Sequence, residues 1–171
     1  LHVSYSLHAL NPWGDLLRVT QLNPYGEIPI LREDDDSLIT GISAVSEYLY
    51  EQSRDDILFG ESMMERAQLR QLCSLFERQF EQDVSSKLLY EKVFKRYGSG
   101  GSPDTRAMRQ GKANLADYLQ LIETLTEEQP WLAGERMTVA DLTAGAFISA
   151  LDYIGDIDWS PHTKAKEWYS L

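Results

Sequence analysis

A small mixed α/β unit followed by an all-α unit is the fold class this sequence predicts, and three observations carry it. Before residue 60 the apolar runs are short and separated by Pro, Gly and Asp clusters. After residue 60 the apolar residues recur at spacings of three and four, and no convincing strand remains. The chain has 171 residues, 43% of them hydrophobic and 25% charged. That suits one large or two small domains and can bury a real core. The expected domains are 1–55, mixed α/β, and 60–171, all-α.

The elements follow in order. Residues 3–6 read as a brief strand, and residues 13–21 as a surface loop and short helix. Glu27-Ile28-Pro29-Ile30-Leu31 and Ser37-Leu38-Ile39-Thr40 read as two further strands. Between them, Arg32-Glu33-Asp34-Asp35-Asp36 suits a tight hairpin turn. Its Asp triplet lacks the interleaved ligands and turn glycine of a calcium loop. From Gly41 to Gln52 the pattern turns helical, with Ala44, Val45, Tyr48 and Leu49 on one face. Leu69, Leu72, Phe76 and Phe80 predict a long amphipathic helix from about 61 to 90. Tyr97-Gly98-Ser99-Gly100-Gly101-Ser102-Pro103 reads as a flexible break. A further helix turns Leu115, Tyr118, Leu119, Ile122 and Leu125 inward. Thr138-Val139-Ala140-Asp141 then carries a capping box, in which the hydroxyl caps an open backbone N–H and the carboxylate reaches back. The helix it starts runs to Tyr153. Its Ala144, Gly145, Ala146, Ile148 and Ala150 leave little polar face, which predicts burial at a bundle centre.

Charge and composition exclude several functions. The net charge of -11 argues against nucleic acid as a partner, because affinity there rests on neutralising phosphates. No apolar run approaches the ~18 residues of a membrane span. The single cysteine, Cys73, excludes an internal disulfide framework; with no signal-like segment ahead of the first strand, a reducing, cytoplasmic setting is expected. Cys73 itself reads as a small hydrophobe of the long helix rather than a nucleophile. Three scattered histidines (His2, His8, His162) and that cysteine give no metal-ligand spacing, so no metal site is expected.

The charge is uneven. Residues 87–112 hold seven basic side chains (Lys87, Lys92, Lys95, Arg96, Arg106, Arg109, Lys112) against Glu91 and Asp104. This segment carries +5 and the remainder -16. It is either a solvated helical face or a local anion-attracting surface on an otherwise repelling molecule. Trp13, in the turn-rich Asn11-Pro12-Trp13-Gly14-Asp15, is either packed against its own domain or a binding anchor on a loop. Trp131, Trp159 and Trp168 lie beside apolar helical stretches and read as structural.

Asn23-Pro24-Tyr25-Gly26-Glu27-Ile28-Pro29-Ile30-Leu31, the strand-to-helix passage from Leu38 to Leu49, and Trp131-Leu132-Ala133-Gly134 with Thr138-x-x-Asp141 resemble, in order and spacing, the glutathione transferase superfamily. The resemblance covers the chain from about residue 11 onward. It implies a thioredoxin-like N-terminal domain and the family's C-terminal helical bundle. It also implies a cis peptide at Ile28-Pro29 that sets the Ile28 backbone beside the ligand as a short strand edge.

Two positions depart from the family. Its glutathione-binding members carry Glu-Ser at the start of the helix after the third strand, and here Gly41 and Ile42 stand there. Neither supplies a carboxylate or a hydroxyl, so glutathione would lose charge-assisted hydrogen bonds of roughly 1.5–3 kcal/mol each. Ser43 lies one position late. The family also places strand, helix and strand before the Asn-Pro segment, and such a crossover needs at least ~10–12 residues for its connection. The first helix and second strand have no sequence to be made from, so a segment is expected to be absent between Ser6 and Asn11. Tyr5 and Ser6 fall near the family's catalytic position without being assignable to it. Further helix is expected beyond Leu171.

Leu88-Leu89-Tyr90-Glu91-Lys92-Val93-Phe94-Lys95-Arg96, Asn114-Leu115 and Ala150-Leu151-Asp152-Tyr153-Ile154-Gly155-Asp156-Ile157-Asp158-Trp159 resemble one branch of the superfamily, the FtsZ-binding, glutathione-transferase-like bacterial cell-division proteins. That resemblance implies a homodimeric, non-catalytic adaptor acting on FtsZ; the basic segment with Lys92, Lys95 and Arg96 is where FtsZ or another anionic protein is expected to dock, and Trp13 is a further candidate anchor. The alternatives are a glutathione transferase conjugating glutathione to small electrophiles, with Ile28 and Pro29 presenting backbone to the tripeptide, and a stress-response module that holds hydrophobic compounds without turnover.

Overall fold

A computed structural model describes residues 4–11, 14–53 and 56–171, which form two compact units, 1–56 and 57–171. In the first unit, helix α1 (Leu16–Leu22) buries Val19 and ends at Asn23. Asn23 is only 2% exposed because it organises the following turn. Its Nδ2 donates to the Glu27 carbonyl at 3.1 Å, and its Oδ1 accepts from the Tyr25 amide at 3.1 Å. Gly26 completes this turn at φ 72°, a left-handed conformation that favours glycine. The Ile28-Pro29 peptide is cis, as the family resemblance implies.

Strands β1 (Ile30–Arg32) and β2 (Leu38–Thr40) pair antiparallel, with Ile30 opposite Thr40 and Arg32 opposite Leu38. The predicted hairpin turn closes them. Glu33 N donates to Ser37 O at 3.0 Å, and Asp36 takes φ 66°, which Asp tolerates better than most residues. Helix α2 (Ile42–Ser53) starts on Gly41 and buries Val45, whereas Ala44 on the predicted face is exposed. The strand expected at residues 3–6 is not found at 4–6, which are exposed and irregular. A strand persists only by pairing, and no described residue offers those amides a neighbour.

In the second unit, α3 (Asp56–Phe59) precedes α4 (Met63–Ser74), which is capped by Ser62 Oγ accepting from Glu65 N at 3.1 Å. A wide-turn, π-type stretch (Leu75–Ser85), α5 (Ser86–Leu89) and a second wide-turn stretch (Tyr90–Ser99) follow without interruption. The long helix therefore extends through Tyr97 and Ser99, beyond its expected end near 90. It stops at Gly100, which turns left-handed at φ 71° and donates its N–H to Lys95 O at 2.8 Å. The predicted flexible break is thus shorter, because the helix uses the glycine as its terminator.

Helices α6 (Thr105–Leu125), α7 (Val139–Tyr153) and α8 (Thr163–Tyr169) complete the unit. Its core takes Phe76, Phe80, Val84 and Leu88 from the long helix and Leu115, Leu119 and Ile122 from α6. Ala144, Ile148 and Leu151 come from α7, and Trp168 from α8. Each large side chain so buried contributes roughly 1.5–3 kcal/mol. Gly111 lets the two long helices approach closely: a Cβ there would stand 2.9 Å from both Leu88 Cγ and Lys87 Cβ.

The capping box of α7 is present, with Thr138 N and Oγ1 both donating to Asp141 Oδ2 at 2.9 Å. Asp141 Oδ1 accepts from Leu132 N at 2.8 Å and Trp168 Nε1 at 2.9 Å, so one carboxylate ties three elements. Helix α7 is buried on one side only. Leu142 and Tyr153 are exposed, Tyr153 at 92%, which corrects the expected enclosure at a bundle centre. Small residues let it pack closely on one face without requiring neighbours on the other. Cys73 is half-buried and lies 3.6 Å from the Thr143 hydroxyl.

Candidate functional site

Two groups of residues singled out by sequence can be placed. The first is in the N-terminal unit, where Gly41 N donates to Pro29 O at 3.0 Å. Ile28, Pro29, Gly41 and Ile42 therefore form one local edge, with Ile28 59% and Ile42 38% exposed. Gly41 sits at φ 87°, where a side chain would be strained. A Cβ built there would meet Glu27 Oε2 at 3.3 Å. Glu27 is the residue that sequence reasoning passed over: its carboxylate lies beside the position where the family's Glu would project. Its place in the Asn23 turn was the available signal, since that turn directs residues 27–29 toward the start of α2. Tyr5 and Ser6 lie in the irregular, exposed stretch, Tyr5 at 80% exposure. Trp13 lies outside the described residues.

The second group is on the long helix of the second unit. Lys92 Nζ is hydrogen-bonded to Asp156 Oδ1, and Lys112 Nζ approaches the same oxygen at 3.4 Å. The Asp156 side chain is fully buried, and among the described residues its Oδ2 has no hydrogen-bond partner. Gly155, left-handed at φ 71°, precedes this aspartate just beyond the end of α7.

Lys95 Nζ donates to Glu91 Oε2 at 2.8 Å, and the same oxygen accepts from the Asp104 amide at 2.7 Å. Those two bonds, the Lys95 one foremost, hold the Glu91 carboxyl below its usual range. The Glu91 carboxylate in turn raises the Lys95 ammonium. Arg96 lies over the Tyr97 ring, 5.7 Å from its centroid. Of the three predicted partner-binding cations, Lys92 and Lys95 are thus engaged in ion pairs within the unit.

The exposed aromatic side chains of this helix escaped sequence reasoning. Tyr90, Phe94 and Tyr97 are 48%, 44% and 65% exposed. Their spacing of four and three was the signal, masked by the cations between them. Among the described residues no cluster of His, Cys, Asp or Glu could hold a metal, and no helix is long and apolar enough to cross a membrane.

Residues 88–170 match the model of the glutathione S-transferase C-terminal domain. FtsZ-localized protein A of Caulobacter vibrioides is 40% identical over 153 residues, covering 88% of this chain and 67% of that protein. Glutathione S-transferase F14 of Arabidopsis thaliana is 32% identical over 142 residues, covering 82% of this chain and 54% of the relative. Among solved structures, a glutathione S-transferase from Rhodospirillum rubrum F11 superposes with a TM-score of 0.88 at 40% identity, over 94% of this chain and 72% of the other. FzlA from C. crescentus does so with a TM-score of 0.86 at 37% identity, over 94% and 72%.

Proposed function

Since the chain belongs to the glutathione S-transferase family, we propose that it serves as a non-catalytic, FtsZ-binding cell-division adaptor, cytoplasmic and homodimeric, with a degraded glutathione site. The observation that carries this is the pair Gly41–Ile42. Gly41 offers no side chain where the family binds the γ-glutamyl end, and the Glu27 carboxylate stands alongside. That carboxylate can meet the ammonium of a bound tripeptide's γ-glutamyl end, but no hydroxyl there donates to the same end's carboxylate, which disfavours binding. Ile42 supplies a hydrocarbon in place of that donor. The 40% identity to FtsZ-localized protein A supports FtsZ as the partner.

On this proposal the partner-facing charge lies around Arg96, with Trp13 as a second anchor. Lys92 and Lys95 act mainly by holding the helix in place through Asp156 and Glu91. The competing function, a transferase conjugating glutathione to small electrophiles, is favoured by the exposed Ile28 edge and by the 32% identity to glutathione S-transferase F14.

Co-sedimentation with polymerised FtsZ tests the adaptor. The protein is expected in the pellet with FtsZ and in the supernatant without it. Charge reversal of Arg96 should weaken pelleting more at low salt than at high salt, because screening removes the long-range part of the attraction. Absence from the FtsZ pellet at every salt concentration would overturn the proposal.

A further inference from the structure

We infer that the ridge of Arg106, Arg109 and Lys112 on α6 is a docking surface for a short acidic segment of a protein partner. The inference rests on the adaptor function and extends the partner-facing charge from Arg96 to α6. Helix α6 is a regular α-helix, so side chains three positions apart are surface neighbours. From Thr105 to Ala116 it carries these three cations and no acid. All three are exposed, while Gly111 packs against Leu88 of the long helix and Leu115 enters the core. The cations therefore lie away from the packed face of α6. Neither guanidinium makes a hydrogen bond or ion pair among the described residues. Asp104, the nearest acid in sequence, caps the helix instead, its Oδ1 accepting from the Arg106 and Ala107 amides at 2.8 and 3.2 Å. Those first amides are thereby satisfied, and side chains rather than the helix end supply the charge. Lys112 Nζ stands 3.4 Å from Asp156 Oδ1, an oxygen that Lys92 also holds. Two ammonium groups thus share one carboxylate, and a positive charge is left over.

Charge complementarity selects the occupant. Arginine presents a planar fork that matches a carboxylate, and here two such forks stand unpaired side by side. From residue 106 to residue 112 the helix rises about 9 Å, the length of roughly three residues of extended chain. Residues 87–112 carry +5 and the remainder -16. With a screening length of about 8 Å at physiological salt, attraction is confined to this patch and repulsion holds elsewhere. A nucleic acid continues its charge past the ridge and meets the acidic remainder, whereas a short acidic run ends with the ridge. Exposed Gln110 and Ala113 fill the surface beside the cations, so no large apolar side chain anchors the contact. Binding is therefore electrostatic, local and sensitive to salt.

Fluorescence anisotropy on the intact chain tests the ridge with labelled alternating glutamate–serine, glutamine–serine and lysine–serine peptides and a short labelled single-stranded oligonucleotide. The glutamate–serine repeat sets every carboxylate on one side of an extended chain. It is expected to bind at least ~10-fold more tightly than the other three probes at low salt, and to lose affinity as salt is added. Arg106→Glu/Arg109→Glu should weaken it by ~10-fold or more, with a thermal melt matching the parent. Lys164→Glu/Lys166→Glu makes the same change in net charge at exposed positions of α8 and should alter affinity by no more than ~2-fold. Arg106→Gln/Arg109→Gln provides an independent arm if the charge reversal does not fold. Parental affinity in a folded ridge variant, an equal loss in the α8 variant, or an oligonucleotide that binds as tightly as the glutamate–serine peptide would each overturn the proposal.

FtsZ co-sedimentation in parallel separates the ridge from the adaptor function. If the parent pellets with FtsZ and the folded ridge variant pellets equally well, the ridge is refuted as the docking surface and the adaptor survives. If the variant loses the peptide and the parent never pellets with FtsZ, the adaptor is refuted and the ridge survives as a surface for acidic segments.

Discussion

The two units exclude water by different means. Before Asp56 the described residues bury Val19, Val45 and Asn23, and what fixes their geometry is local: the Asn23 turn, the hairpin, and the Gly41 amide on Pro29. After it, the core joins residues from the long helix, α6, α7 and α8, and two buried aspartates make bonds spanning up to 64 positions in sequence. The N-terminal unit thus holds the edge formed by Ile28, Pro29, Gly41 and Ile42 by short-range turns, with little apolar area behind it. The helical unit is a packed scaffold whose core and buried aspartates join elements far apart in sequence. Substitutions that cut one kind of support and leave the other intact sharpen this contrast.

The largest effect is expected from Asp141→Ala. It removes a cap worth about 1 kcal/mol and strands the buried Leu132 and Trp168 N–H groups at about 1–3 kcal/mol each. Urea unfolding of the helical unit should lose about 4 kcal/mol in total. Asp156→Ala comes next, at about 2 kcal/mol, because it leaves Lys92 partly buried beside Lys112 without its counter-charge. Adding Lys92→Met should recover part of that loss in a double-mutant cycle; strictly additive losses would show that the pair is not coupled.

How much of this was legible in the sequence follows the same division. The hairpin, α2 and α7 could be read because their signals are local: the Asp cluster, the periodicity after Gly41, and Thr138 with Asp141 three positions on at the helix start. The family motifs likewise pointed to the Ile28-Pro29 edge and to the replacement at Gly41. Pairing across the fold could not be read. Lys92 and Lys95 looked like surface charge because nothing in the sequence places Asp156 beside Lys92, or turns Glu91 inward to meet both Lys95 and the Asp104 amide. The strand expected at residues 3–6 failed for a related reason, since local β propensity cannot supply the neighbour a strand requires.

In the N-terminal unit, Asn23→Ala should cost about 1 kcal/mol, the net worth of its turn hydrogen bonds. Hydrogen exchange should accelerate across residues 23–41 while the α6 and α7 amides keep parental protection. Equal acceleration in the helical unit would mean that the two units unfold together.

The smallest effect concerns acid. Because the Lys95 hydrogen bond and the Asp104 amide lower the Glu91 carboxyl, the folded protein binds its proton less readily than the unfolded chain. The associated stability is present above the ordinary glutamate range and is lost as pH falls through the lowered value. Glu91→Gln should therefore flatten the acid limb of a stability–pH profile, and an unchanged slope would show that Glu91 does not contribute to it.

The central claim, that this family member works without glutathione chemistry, is tested most directly by calorimetric titration with reduced glutathione at neutral pH. Gly41 and Ile42 predict no saturable heat at millimolar ligand. A micromolar dissociation constant would contradict the account, because it would show an intact tripeptide site despite the missing carboxylate and hydroxyl.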